Sequence, residues 1–357
     1  MKIHNSKTKA FAFSGAAFVL LITLLFTGCS NAASEEGTGG TPQAPLVEGG
    51  ASLVFKAGTG TVRVSVITAD GTAVTVEGGT VPSLASGSTT TLNASGTAVI
   101  LKGNIRELYC RVYGNNDSTA LNVQGLSALE ILDCNSSALS SLNVQGCIAL
   151  KELYCWNNRL SSLSVQGCTA LERLECTHNR LSSLNVQGCT ALKSLECYNN
   201  QLTSLSVQGC TALEGLGCDN NQLSSLSVQG CIALEGLGCS NNQLSSLSVQ
   251  GCIALKWLNC YNNALSSLNV QGCTALEKLD CYNNQLTAQA FTQVLTDLPA
   301  RVPSDDARCV LYTEVLGEGN CTDFTAPSEL VSAFNDAKNN KHWKLYKKDS
   351  DLNNVAL

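Results

Sequence analysis

From Leu129 to Leu286 the apolar positions return on a fixed period of 21 residues. One unit reads Leu171, Leu174, Cys176, Asn179, Leu181, Leu184, Val186, then Gln187-Gly188-Cys189, and the same letters return at Leu192, Leu195, Cys197 and Asn200. Leu-x-x-Leu-x-Cys alternates inward and outward side chains, which predicts a short strand with one buried face in every unit. The second run, Leu181-Ser-Ser-Leu184-x-Val186, predicts the returning side. Twenty-one residues leave no room for a helix there. The expected fold is a mostly β, right-handed leucine-rich-repeat solenoid with a parallel concave sheet. A single coil buries too little to offset the entropy of ordering its backbone, so coils must stack to be stable.

Flanking the solenoid, assigned to residues 105–286, the pattern changes. A worn first repeat, three residues longer, begins at Ile105-Leu108-Cys110, and Ser137 stands where later coils have Asn158, Asn179, Asn200, Asn221, Asn242, Asn263 and Asn284. That asparagine column is placed to satisfy backbone groups in the turn. Within residues 51–104, Thr61 to Ile67 and Thr72 to Val76 alternate around Asp70-Gly71, the signature of a hairpin in an N-terminal β cap that covers the sheet edge. Within residues 287–357, Ala290, Phe291, Val294, Leu295 and Leu298 fall at helical spacing before Pro299. A second helix is expected around Ser328 to Lys338 and a strand at His342 to Tyr346, making an α/β cap.

The N-terminus carries Lys2, Lys7 and Lys9, an apolar run from Phe11 to Phe26, and Phe26-Thr27-Gly28-Cys29. The run is too short for a permanent membrane helix. The tetrad resembles the lipobox of bacterial lipoproteins, with Phe26 where Leu is usual. That resemblance implies a signal peptide at residues 1–28 and lipidation of Cys29. Residues 29–50, rich in Ser, Gly, Ala, Thr and Pro, then read as a flexible tether. The expected location is the outer membrane, with the chain exported, facing the cell exterior and attached to the membrane through the lipid alone.

Charge narrows the partners. With 22 Lys and Arg against 28 Asp and Glu the net charge is −6, and it becomes −9 without the three leader lysines. No basic stripe and no phosphate-cradling glycine loop is present, which speaks against nucleic acid and nucleotides. Of 19 cysteines, Cys134, Cys155, Cys176, Cys197, Cys218, Cys239, Cys260 and Cys281 form one column with Cys110 as its first rung. Cys147, Cys168, Cys189, Cys210, Cys231, Cys252 and Cys273 form another. Stacked coils lie about 4.8 Å apart with parallel Cα–Cβ bonds. A disulfide needs closer, converging Cβ atoms, so both columns read as buried thiols. No converging ligand pairs suggest zinc or any other metal, and no cofactor is expected. Cys309 and Cys321, outside the repeats, are the candidate disulfide.

The pattern Leu-x-x-Leu-x-Cys-x-x-Asn-x-Leu-x-x-Leu-x-Val at this period resembles internalin-like bacterial leucine-rich repeats of the cysteine-ladder type, over roughly half the chain. The resemblance implies binding of a host or neighbouring-cell surface protein, as in adhesion, and supplies no catalytic residue. Attachment departs from that family's usual C-terminal cell-wall linkage and looks instead like that of leucine-rich-repeat lipoproteins of double-membraned bacteria.

Uniform positions build the coil and variable ones are free to recognise. Every aromatic residue between Leu129 and Leu286 falls in a variable slot: Tyr154, Trp156, Tyr198, Trp257, Tyr261 and Tyr282. With Arg173, Glu175, His178 and Glu196 they outline an early patch, and Trp257, Tyr261, Lys278, Asp280 and Tyr282 outline a late one. Gly215, Gly217, Gly236 and Gly238 between them remove side chains and predict a shallow saddle. A glycan stacking on the same aromatics is the alternative ligand, and a periplasmic scaffold the alternative role. An acid–base enzyme would have to use Glu175, Glu196, Asp219 and His178, but an open surface is expected to leave their pKa values ordinary. No catalytic residue is assigned.

Overall fold

The computed structural model describes residues 43–55, 60–112 and 118–357, all within one compact unit, Thr41–Leu357. The leader, Cys29 and most of the expected tether lie outside the described residues.

A 14-stranded sheet runs the length of this unit. Its centre is eight three-residue strands, from Ile131–Asp133 through Glu152–Tyr154 to Lys278–Asp280, each pairing in parallel with the next. Their middle leucines align rung on rung, as in Leu153 opposite Leu174 and Leu195 opposite Leu216. The coil that begins at Leu171 buries seven apolar side chains, Leu171 through Cys189, none more than 3% exposed. The returning side is extended, with paired short strands at Ser183–Asn185 and Ser204–Ser206 and again at Ser225–Ser227 and Ser246–Ser248. No helix occupies it in any of these coils.

The Asn-Asn doublets divide two tasks. The first residue, as in Asn157, Asn199 and Asn220, adopts the left-handed conformation at φ near +54°, which asparagine tolerates better than most residues. The second stitches each coil to the one before it. Asn179 Nδ2 donates to the Cys155 and Cys176 carbonyls at 3.0 and 3.1 Å, while Asn179 Oδ1 accepts the Leu160 amide at 3.0 Å. Turn backbone that no ladder reaches is thereby satisfied. Ser137 makes a shorter version of the first rung, donating to the Cys110 carbonyl at 3.1 Å.

All cysteines among the described residues are free thiols, and all but Cys321 are buried. In the second column each Sγ faces a valine carbonyl one coil back, from 3.2 Å for Cys147 to Val123 to 3.9 Å for Cys231 to Val207. The candidate pair Cys309 and Cys321 is not bridged. Cys309 lies in the long sheet opposite Leu279, hydrogen-bonded to Cys281, whereas Cys321 donates to the Asp323 carbonyl at 3.2 Å.

The N-terminal segment departs from the expected hairpin. Thr61–Thr68 joins the long sheet, antiparallel to Ile105–Val112, while Val74–Glu77 belongs to a second sheet with Ala98–Lys102 and Gly50–Phe55. Asp70-Gly71 therefore crosses between two layers. The segment is a small sandwich whose sheets continue onto the two sides of the solenoid, the second through Ser118–Asn122 beside Ser141–Asn143. Residues 43–50, expected as tether, lie on this body: Ala44 is buried, its carbonyl accepts from Asn122 Nδ2 at 3.0 Å, and Gly50 pairs with Lys102.

At the other end, Arg308–Thr313 and Lys344–Lys348 add two parallel strands to the long sheet. Helices α1 (Ala288–Asp297) and α2 (Ser328–Asn339) pack on each other, with Phe324 between Phe291 and Phe334 at 5.3 Å from each ring. Asn320 completes the asparagine column from outside the repeat, accepting the Leu286 amide at 2.8 Å and donating to the Cys281 carbonyl at 3.0 Å. Arg301 clamps the last coil through the Leu276 and Thr274 carbonyls, both at 2.9 Å.

Candidate binding face

Alternation about each buried leucine sends its two strand neighbours to the outer face of the long sheet. Tyr154, Glu175, Glu196 and Asp280 stand in one column, Arg173, Trp257 and Lys278 in the other. Trp156, Tyr198, Tyr261 and Tyr282 follow the buried cysteine, two residues beyond the first column.

In the early patch Trp156, Glu175, His178 and Tyr198, with Asn157 and Thr177, line a hollow of about 480 Å³. His178 takes the left-handed turn position that the six other coils from Asn157 to Asn283 give to asparagine. Its ring meets Tyr198 edge to face at 5.5 Å, and its Nε2 lies 3.0 Å from Asn199 Nδ2. Arg173 Nη1 is 3.5 Å from Glu175 Oε1. Tyr154 lies beside this hollow and donates to Glu152 Oε2 at 2.6 Å. Burial, then that carboxylate, hold the Tyr154 phenol well above its ordinary pKa.

Glu196 lies on the adjacent strand. Burial, then the charges of Glu175 and Asp219, raise its pKa, with Arg173 in partial opposition. The expectation that water would leave these carboxylates ordinary therefore fails for Glu196. The reason is visible in the glycines: a methyl on Gly217 would collide with the Glu196 carboxylate, and one on Gly238 with that of Asp219. Ser240 fixes Asp219 by donating from its amide at 2.9 Å and its hydroxyl at 2.5 Å. Trp257 leans over Gly236 in the same way. Neighbouring side chains thus lean over three of the four glycines of the expected shallow saddle, and only Gly215 stays open.

In the late patch Tyr261 and Tyr282 stack at 4.6 Å and 6°, with Lys348 Nζ 6.0 Å from the Tyr282 ring centre. Trp257 and Lys278 are exposed. Asp280 sits 3.8 Å from Arg308, and burial raises its pKa against the pull of Arg308. Three strand steps, about 14 Å, separate Glu196 from the Trp257 strand, so the patches are distinct.

Several residues of this face escaped the sequence. Arg308, Tyr346 and Lys348 join it through the cap strands, where no 21-residue spacing signals register. Arg63, Ser65, Thr89, Tyr109, Arg111 and Asp133 line a smaller hollow of about 280 Å³ at the N-terminal sandwich. Arg111 pairs there with Asp133 at 3.3 Å. The alternation of Thr61 to Ile67 was a usable signal for Arg63 and Ser65, but not for their neighbours. Among the described residues no three metal-ligating side chains converge.

The chain is similar to the functional domain of InlJ from Listeria monocytogenes. That domain includes a cysteine ladder; the two share 25% identity over 56% of this chain and 51% of that one, with a TM-score of 0.40. YopM from Yersinia enterocolitica shares 28% identity over 52% of this chain and 38% of that one, with a TM-score of 0.43. The internalin inlF of Listeria monocytogenes shares 20% identity over 57% of this chain and 66% of that one, with a TM-score of 0.39. The chain thus spans about half the length of InlJ and less of YopM. No protein-family model and no curated protein matches it.

Proposed function

We propose that this protein is an interaction module that holds a protein ligand against the outer face of the long sheet. The observation that carries this reading is the hollow lined by Trp156, Glu175, His178 and Tyr198. These side chains occupy slots that vary from coil to coil, on a core whose leucines and cysteines are buried without them. Large rings held on a rigid sheet offer contact area at little entropic cost, which is where binding energy concentrates. We further propose that the chain is exported, lipidated at Cys29 and displayed on the cell exterior as an adhesin; support for this comes from Lys2 to Cys29 alone.

The test is capture of extracellular proteins by the purified chain. Trp156→Ala, Tyr198→Ala and Trp257→Ala together should abolish it while the circular dichroism spectrum is kept. Retained capture would sink the proposed face. A glycan array that lights up while no protein is captured would replace the protein ligand with a sugar. For display, added protease should remove the protein from intact cells, and Cys29→Ser should release it from the membrane.

A further inference from the structure

We infer that the hollow beside Trp156 receives a cationic side chain, lysine or arginine, of the protein partner; this rests on the interaction reading above and names the chemistry of its central contact. Two rings, the Trp156 indole and the Tyr198 phenol, line the hollow, and the faces of such rings attract cations. Glu175 supplies a carboxylate in the same wall.

The local charge points the same way. Glu175, Glu196 and Asp219 stand on successive coils, and the cation set against them is Arg173, itself half-exposed and 3.5 Å from Glu175. Burial first, and then the charges of Glu175 and Asp219, make Glu196 hold its proton more tightly than a free carboxylate. An incoming ammonium or guanidinium would relieve this repulsion, an anion would aggravate it, and a neutral chain would leave it unchanged.

The experiment follows the indole N–H resonance of Trp156, one of three tryptophans, in the ¹⁵N-labelled full chain. The signal is assigned by its loss in Trp156→Phe. The probes are the Nα-acetyl methylamides of lysine, arginine, norleucine and glutamate. Lysine or arginine should bind at least about tenfold more tightly than norleucine, and glutamate should not bind. Glu175→Gln should weaken the cations about fivefold and leave norleucine unchanged. Tyr198→Leu provides a second variant that removes a ring without touching charge, and it should weaken the cations as well. Equal binding of norleucine, preferential binding of glutamate, or no shift with any probe would overturn the inference. A chain that captures its protein partner yet shows no cation preference loses this inference and keeps the interaction reading. One that binds the cations but captures no protein loses the interaction reading and keeps the cation site.

Discussion

Removing one rung of the asparagine column should cost far more than the loss of a surface amide. Asn221 is buried, its Oδ1 accepts the Leu202 amide at 2.9 Å, and its Nδ2 donates to the Cys197 and Cys218 carbonyls at 3.1 and 3.0 Å. Asn221→Ala leaves the buried Leu202 N–H without its acceptor, while the Cys197 and Cys218 carbonyls each lose one of two donors and keep Asn200 and Asn242 Nδ2, both at 3.0 Å. At about 1–3 kcal/mol for the stranded amide and about 0.5–1 kcal/mol for each lost hydrogen bond, the expected loss is about 2–4 kcal/mol. Asn221→Asp should be at least as damaging, because its carboxylate would face two carbonyl oxygens with nothing to donate. Urea unfolding followed by circular dichroism, with reductant present, measures the loss. Since coil solenoids need not unfold in one step, hydrogen exchange localises it. The Leu202 amide should lose protection, while the Leu265 amide, held by Asn284 Oδ1 at 3.0 Å three rungs further on, keeps it. A cost below about 1 kcal/mol for Ala, or an Asp variant as stable as the native chain, would refute the ladder as a stabilising device.

Two further outcomes follow from burial. Of the eighteen cysteines in the body from Thr41 onward, Cys321 should react with a thiol reagent at pH 8 and the rest only as denaturant opens the coils. Burial withholds their sulfurs and pushes Cys110 up to about 12 and Cys168 up to about 11. Several fast equivalents, or a melting temperature that falls on adding dithiothreitol, would contradict free, buried thiols. Glu196 is raised in the folded state, so its contribution to stability is fully present below its unfolded pKa of 4.5 and is lost as pH rises through the folded value. Glu196→Gln should therefore melt higher than the native chain at pH 7, the difference closing as pH falls toward 4. A variant that melts lower at pH 7 would show that the carboxylate stabilises the fold.

The coil was legible because its information is local and repeated. An inward leucine and cysteine two residues apart and a bonding asparagine at a 21-residue period leave one way to wind the chain, and eight copies removed ambiguity from register; the left-handed turn of the asparagine before it appeared only in the structure. The stacking that defeats disulfides within the cysteine columns followed from the same spacing. Both helices of the C-terminal cap were visible for a similar reason, since Phe291, Val294 and Leu295 fall on one face within a few turns.

What lay beyond the sequence depends on partners distant along the chain. Thr61–Thr68 and Val74–Glu77 alternate alike, and only their pairing with Ile105–Val112 and Ala98–Lys102 assigns them to different sheets. Cys309 faces Leu279 instead of Cys321 because its strand joins the long sheet, a register with no spacing signal. At the candidate face, composition marked Trp156, Glu175 and Tyr198 as available, but the hollow between them needed three coils in place. The roofed glycines and the raised pKa of Glu196 arise only when side chains from neighbouring coils lean into one another's space. Period and alternation determine which side of the coil a residue faces; tertiary packing decides what it meets there, because that depends on contacts between segments whose spacing no repeat records.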